Sequence, residues 1–160
     1  MSGNLFSWLE EATLATALRH SVWAYPLVNA AHIVGVALLI GGAVPLGLRV
    51  LGMWRSQALQ PLRRATAATG GVGFVLAVFT GSLLFITRAS VYAESSFFLI
   101  KMAVLLGAIG ISIWFLLLTS EGRVSTWAEG KPPLPIRLVA GAVILVWLVV
   151  LVFGRLIGYF

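Results

Sequence analysis

The sequence contains no cysteine and no aspartate, and only 10% of its 160 residues are charged. The absence of cysteine excludes disulfides, iron–sulfur clusters and thiolate metal sites. A soluble domain carries about 25% charged residues, so this chain has too few to cover a surface that faces water. Hydrophobic residues make up 60% of the chain, and its mean hydropathy is +1.02. The composition therefore predicts a protein whose surface faces lipid.

The net charge of +6 would suit a nucleic-acid partner, but the basic residues are dispersed at the ends of apolar runs and form no single patch. We therefore expect no nucleic-acid binding. All five acidic residues are glutamates, and all lie outside the apolar runs. This pattern argues against a proton pump, since pumps usually need a carboxylate within the membrane. The local motifs of metalloproteases, serine hydrolases and nucleotide-binding loops are also absent.

Four apolar stretches are long enough to cross a bilayer, which takes roughly 20 residues. They cover 22–50, 65–87, 97–120 and 136–160. The preceding segment, 1–21, is too polar to span and predicts a short helix in the membrane interface, beginning at a capping box formed by Ser7 and Glu10. The predicted fold is an all-α integral membrane protein, a four-transmembrane-helix bundle over 22–160 with a short N-terminal interfacial helix.

The distribution of lysine and arginine predicts the orientation of this bundle. The first and third connections and their flanks hold Arg49, Arg55, Arg63, Arg64, Arg123, Lys131 and Arg137, and the opposite side holds Arg19, Arg88 and Arg155. Because cytoplasmic loops carry the excess of basic residues, both termini are expected in the periplasm. The expected location is the bacterial inner (cytoplasmic) membrane.

Two ionisable side chains stand out inside the predicted spans, away from the basic residues at the span ends, and such groups are candidates for function because burying them in lipid is costly. His32 lies roughly 12 Å and Lys101 roughly 6 Å below the outer interface, at 1.5 Å per residue. A histidine can ligate haem iron, and a neutral lysine amine can fill the opposite axial position. Alternatively, His32 hydrogen-bonds a neighbouring helix, and Lys101 extends its ammonium to the interface.

Several nearby residues are candidates for the same site. Tyr25 and Asn29 recur with His32 at helical spacing, and Arg88 and Arg155 lie where they could pair with haem propionates or simply reach the interface. Met102 is an alternative axial donor, but it points about 100° away from Lys101 on a helix. His20 is more consistent with an interfacial position. Glycines at helical spacing on the first two spans predict close helix packing or a surface against which a flat ring can lie.

The first and third spans resemble known membrane families. The segment from Arg19 to Pro26, with His32-Ile33, Gly42 and the stretch from Leu48 to Gly52, resembles an uncharacterised bacterial family of four-helix membrane proteins. The chain also looks like a distant relative of the membrane protoporphyrinogen IX oxidase family, which binds haem b, and of the copper resistance protein D family. In the oxidase family a His-Ile pair and a lysine, similar to His32-Ile33 and Lys101 here, are implicated in haem binding.

The resemblance and the two membrane residues together predict a haem b protein of the inner membrane, with His32 and Lys101 as the iron ligands. The expected role is electron transfer, or oxidation of a small lipophilic substrate on the periplasmic side, which would make the chain a haem-dependent oxidoreductase. A quinone or another redox partner and a homodimer or larger membrane complex are the candidate partners. The alternative is a non-redox subunit that packs in a larger complex or forms a small-solute path. Copper handling is disfavoured by the lack of cysteine and by unclustered methionines.

Overall fold

A computed structural model describes residues 5–124 and 132–156, and at positions 121, 124, 155 and 156 it describes the backbone alone. Four long helices are apolar enough to cross a membrane, which confirms the predicted all-α four-helix bundle. They are α3 (Ala24–Leu51), α4 (Leu59–Ile86), α6 (Ser96–Leu118) and α8 (Leu134–Leu156). Short helices lie between or before them: α1 (Leu5–Glu11), α2 (Thr13–His20), α5 (Ala89–Glu94) and α7 (Glu121–Val124). The chain is thus a multi-pass membrane protein.

The long helices begin and end at recognisable signals. α3 ends at Gly52, whose φ of 116° is left-handed and lets its N–H bond the carbonyls of Leu48 and Arg49. The Ser95 hydroxyl caps α6 by accepting from the Phe98 N–H at 3.3 Å. α4 begins at Leu59, earlier than the predicted 65, because Pro61 occupies the first turn, where a missing N–H costs nothing. The polar residues before 65 are therefore helical.

The N-terminal segment differs from the single capped helix that was predicted. The chain breaks at Ala12, whose ψ of 139° is extended, and this break separates α1 from α2. Ser7 lies within α1, so the expected capping box is wrong. The Glu10 carboxylate instead accepts hydrogen bonds from the backbone N–H and the hydroxyl of Ser90. Arg19 donates to the carbonyls of Thr87 and Glu10, so both short helices are held against the end of the bundle.

We call this the N-terminal end of the bundle, where α3 and α6 begin and α4 and α8 finish. The opposite end holds the α3–α4 connection. α3 packs closely along α4, and α8 packs against α3 and α6, whereas α4 and α6 do not pack closely on each other. A cleft therefore remains between α4 and α6.

Glycines explain the close approach of α3 and α4. A Cβ added to Gly35 would lie 2.7 Å from the backbone nitrogen of Ala77, and one added to Gly42 would lie 2.5 Å from the carbonyl oxygen of Thr66. Gly73 on α4 meets the α3 backbone in the same way. Of the two interpretations of these glycines, helix packing is therefore the correct one, and no ring fits between α3 and α4 at these positions.

The hydrophobic core lies toward the opposite end. Its buried residues are Leu46, Val50, Leu59, Ala108, Phe115, Ala140, Val143, Trp147 and Val150. The indole N–H of Trp147 donates to the Ser112 hydroxyl at 2.9 Å, and Ser112 donates to the Ala108 carbonyl, so the polar groups of this core are paired. This core cluster includes neither His32 nor Lys101.

Candidate functional site

His32 is held by α4 through one side of its ring. Its Nδ1 lies 3.0 Å from the Ala77 carbonyl oxygen and 3.1 Å from the Thr80 hydroxyl. The carbonyl can only accept, and Thr80 gives its own proton to the Leu76 carbonyl at 2.6 Å. Nδ1 must therefore carry the hydrogen and donate it. The neutral ring then has its lone pair on Nε2.

The sequence of α4 makes room for this ring. A Cβ at Gly81 would lie 3.0 Å from the Cε1 atom of His32, so the imidazole rests on the α4 backbone where a side chain is missing. Thr80, which is buried, precedes this glycine and supplies the second acceptor. The pair Thr80-Gly81 thus orients the histidine. Sequence reasoning identified these residues as small but not as partners of His32.

The second ring nitrogen of His32, Nε2, makes no hydrogen bond to the residues that the structure describes. Every hydrogen bond that His32 makes to the described residues uses Nδ1. The ring is partly buried in the interior of the bundle. A lone pair in this setting can accept a proton or ligate a metal.

Lys101 lies on α6 near the N-terminal end, the same end as His32. Its side chain is partly buried, and a Cβ at Gly154 on α8 would lie 3.9 Å from its Cε atom. Met102, the alternative donor, is 36% exposed, so Lys101 is the one of the two that turns inward. Within the described residues Lys101 makes neither a hydrogen bond nor an ion pair.

The other predicted site residues are less closely tied to His32. Tyr25 and Asn29 are exposed, and neither makes a hydrogen bond within the part of the chain that the structure describes. Arg88 is exposed just before α5, near Tyr92. Arg155 lies in the last turn of α8, but its side chain is outside the described residues. The membership of these four residues in a cofactor site stays a prediction.

An aromatic cluster that sequence reasoning missed closes the N-terminal end of the bundle. The ring of Phe98 lies 5.6 Å from that of Phe85 and 5.2 Å from that of Tyr92, between ring centroids, and Phe6 of α1 adds an edge contact to Phe85. Burial raises the pKa of the Tyr92 phenol, which keeps it neutral. Phe98 precedes Lys101 by one turn of α6, so this aromatic cluster lies at the same end of the bundle as the two candidate ligands. The indication of this cluster in the sequence was the position of Phe98, one helical turn before Lys101 on α6.

The donor set is more suitable for haem than for a bare metal ion. Within residues 5–124 and 132–156, no group of three His, Asp or Glu side chains lies close enough to hold an ion. Haem iron has its equatorial positions filled by the porphyrin and needs only axial donors from the protein. The His32 imidazole and the Lys101 amine, which lie at the same end of the bundle and have no other partner for Nε2 or Nζ among the described residues, could serve as such donors.

The fold defines a class, that of multi-pass membrane proteins built as a four-helix bundle. No family model, no curated protein and no solved structure matches the chain. The functional argument therefore rests on the residues of the site.

Proposed function

We propose that the protein binds one haem b at the N-terminal end of the bundle, with His32 and Lys101 as axial ligands. The observation that carries this proposal is the hydrogen bond from His32 Nδ1 to the Ala77 carbonyl. A backbone carbonyl behind the ring is a usual partner of a metal-ligating histidine, because it fixes the tautomer and aims Nε2 at the metal. Gly81 allows that orientation without a clash.

Lys101 completes the proposed site from α6. An amine binds a metal through its lone pair, so it must be unprotonated as a ligand. No described carboxylate pairs with Lys101 to hold it as an ammonium. Arg88 and Arg155 are the proposed partners of the haem propionates, since guanidinium groups bind carboxylates with two parallel hydrogen bonds.

The proposed role is electron transfer, or oxidation of a small lipophilic substrate, on the periplasmic side of a bacterial inner membrane. Haem supplies one-electron chemistry when bound. The chain's own residues orient the ligands and exclude water, and the aromatic cluster separates the site from the aqueous phase. The excess of basic residues at the opposite end supports the periplasmic location. A quinone dissolved in the bilayer is the proposed redox partner.

The experiment is an absorption spectrum of the purified full-length protein, oxidised and dithionite-reduced. We expect a Soret band and, for His32→Ala, a loss of at least about tenfold in haem per protein, since even residues that support a ligand cost 10–100-fold in metal affinity. His20→Ala is the matched control, because His20 is the other histidine and is exposed on α2. Colourless wild-type protein, or full haem in His32→Ala, would refute the proposal.

A second function, that of a non-redox subunit in a larger membrane complex, is favoured by the outer face of α6. Gly107 and Gly110 are exposed there, and a Cβ at either would meet nothing within 4 Å. Small residues on a lipid-facing helix surface let another helix approach closely. Protein that is colourless but elutes with a membrane partner, and loses it in Gly107→Leu, would support this function over haem binding.

A further inference from the structure

The cleft between α4 and α6 contains an apolar cavity of about 240 Å³, away from His32 and Lys101. Its walls come from all four long helices and include Gly70, Gly71, Phe74, Ile109, Ile113 and Leu116. An apolar cavity of about 150 Å³ already accepts a molecule of the size of benzene. The polar side chains of Trp147 and Ser112 at its inner wall already have hydrogen-bond partners, because Trp147 donates to Ser112 and Ser112 donates to the Ala108 carbonyl. The deep part of this cavity therefore suits hydrocarbon.

Two polar side chains, Gln60 and Arg63, lie on α4 between its start and the cavity. Ala67, Gly70, Gly71 and Phe74 line the cavity, and Gln60 and Arg63 continue the same helical stripe toward the start of α4. The Arg63 Nη2 donates to the Leu116 carbonyl oxygen at 3.1 Å and so reaches across the cleft to α6. Leu116 itself lines the cavity. The guanidinium thus lies at the mouth of an apolar slot.

Two side chains near this end of the cavity carry buried polar atoms without partners in the described part of the chain. The Nε of Arg63 and both amide atoms of Gln60 are buried and make no hydrogen bond within the described part of the chain. Buried polar groups in native proteins nearly always have a partner, and an unpartnered one is costly. An oxyanion is a suitable partner for two of these atoms, Arg63 Nε and Gln60 Nε2, because both donate hydrogen bonds, whereas Gln60 Oε1 accepts and needs a separate donor.

We propose that this cleft binds an anionic phospholipid of the bilayer. One acyl chain fills the slot between α4 and α6, and the phosphate lies at Arg63 and Gln60. The depth is consistent with a lipid, since Arg63 lies within the first turns of α4, where a headgroup would be, and the apolar lining lies farther along the helix. The charge is complementary, and the paired Trp147 and Ser112 leave no free donor deeper in the slot for a quinone carbonyl. This inference does not depend on haem binding.

The test measures binding of phosphatidylglycerol and phosphatidylcholine to the purified full-length protein by native mass spectrometry in detergent. We expect about one phosphatidylglycerol per chain. Arg63→Gln removes the charge but keeps hydrogen-bond donors, and it should weaken phosphatidylglycerol binding about tenfold, as expected for the loss of one charge-assisted pair. Arg64→Gln is the matched control, because Arg64 is the next basic residue and is exposed. It should leave binding unchanged.

A second pair of variants tests the acyl-chain slot. Gly71→Leu fills the cleft, since Gly71 lines the cavity and a Cβ there meets nothing within 4 Å. Gly41→Leu makes the same change at an exposed α3 glycine that is equally unhindered but outside the lining. We expect Gly71→Leu alone to displace the lipid. Arg63→Gln and Gly71→Leu should both keep the Soret band if the haem proposal is right.

Three results would overturn the proposal. The first is equal retention of phosphatidylcholine, which would remove the role of the charge. The second is binding that survives both Arg63→Gln and Gly71→Leu, which would place the lipid elsewhere. The third is oleate, a quinone or a partner helix recovered from the cleft in place of a phospholipid.

Discussion

At the scale of single residues, the chemistry of this protein depends on which polar atoms already have hydrogen-bond partners. The Nδ1 of His32 contacts the Ala77 carbonyl and Thr80, whereas Nε2 makes no hydrogen bond within 5–124 and 132–156. Lys101 is turned inward without a partner among the described residues, and its neighbour Met102 is exposed. The exposure of Met102 thus favours Lys101, the donor preferred from the sequence, over its alternative.

Lys101 can be tested apart from His32. In Lys101→Ala we expect haem to remain on His32 but the oxidised spectrum to change, because one axial ligand is replaced by water or left vacant. Met102→Ala should leave the spectrum as in the wild type, since Met102 faces outward. The measurement is absorption and electron paramagnetic resonance of the oxidised protein. An unchanged Lys101→Ala spectrum would show that the lysine does not ligate.

The sequence was sufficient to find His32 and Lys101, because an ionisable residue in an apolar run is visible without a structure. It was not sufficient to find Thr80 and Gly81 as the support of His32. Helical spacing predicts which residues share a face, but it does not fix which turn of α4 lies beside which turn of α3. The same limit applied to Arg63, which was assigned only to the basic side of the membrane and in fact bonds α6.

At the scale of helices, the α3–α4 pair determines where the histidine can sit. Glycines on both helices remove the side chains that would separate the backbones, and the resulting contact brings His32 to Ala77. The four spans could be predicted because their apolar runs exceed the bilayer thickness. The 28 residues of α3 extend about 42 Å, which is longer than a hydrocarbon core of about 30 Å. The start of α4 could not be placed, because Pro61 resembles a helix breaker in sequence.

Gly35→Ala should weaken both the fold and the site. The new methyl group would lie 2.7 Å from the Ala77 backbone nitrogen, so α3 and α4 must move apart at the turn next to His32. Overpacking of this kind costs typically about 1–3 kcal/mol. We expect lower thermal stability and less bound haem. Gly41→Ala is the control, because its methyl group meets nothing within 4 Å. Equal behaviour of the two variants would contradict the packing role of Gly35.

At the scale of the whole molecule, α1 and α2 close one end of the membrane bundle. Contacts far apart in sequence hold them there: Glu10 with Ser90, Arg19 with Thr87, and Phe6 with Phe85. Sequence reasoning placed this segment in the interface but could not predict these contacts, because their partners lie in a different part of the chain. The closure covers the end of the bundle that contains His32 and Lys101.

This closure should depend on pH through Glu10. Hydrogen bonds from the hydroxyl and then the backbone N–H of Ser90 lower the pKa of Glu10 below its ordinary value of 4.5. A lowered pKa in the docked state means that docking is fully stabilised above the ordinary value and weakens as the pH falls through the lowered one. We expect the protection of α1 and α2 against hydrogen exchange, measured relative to the intrinsic exchange rate at each pH, to fall as the pH drops below 4.5, while the long helices stay protected.

The Glu10→Gln variant distinguishes the effect of Glu10 on docking from general unfolding of the protein in acid. The amide is uncharged at every pH. In this variant, α1 and α2 should therefore be less protected against hydrogen exchange than in the wild type at neutral pH, and their protection should show no further change on acidification. Glu11→Gln alters the adjacent, exposed glutamate and should behave as wild type. If α1 in Glu10→Gln instead stays as protected as in the wild type at neutral pH, the carboxylate does not hold the segment. The closure would then rest on Arg19 and the aromatic contacts.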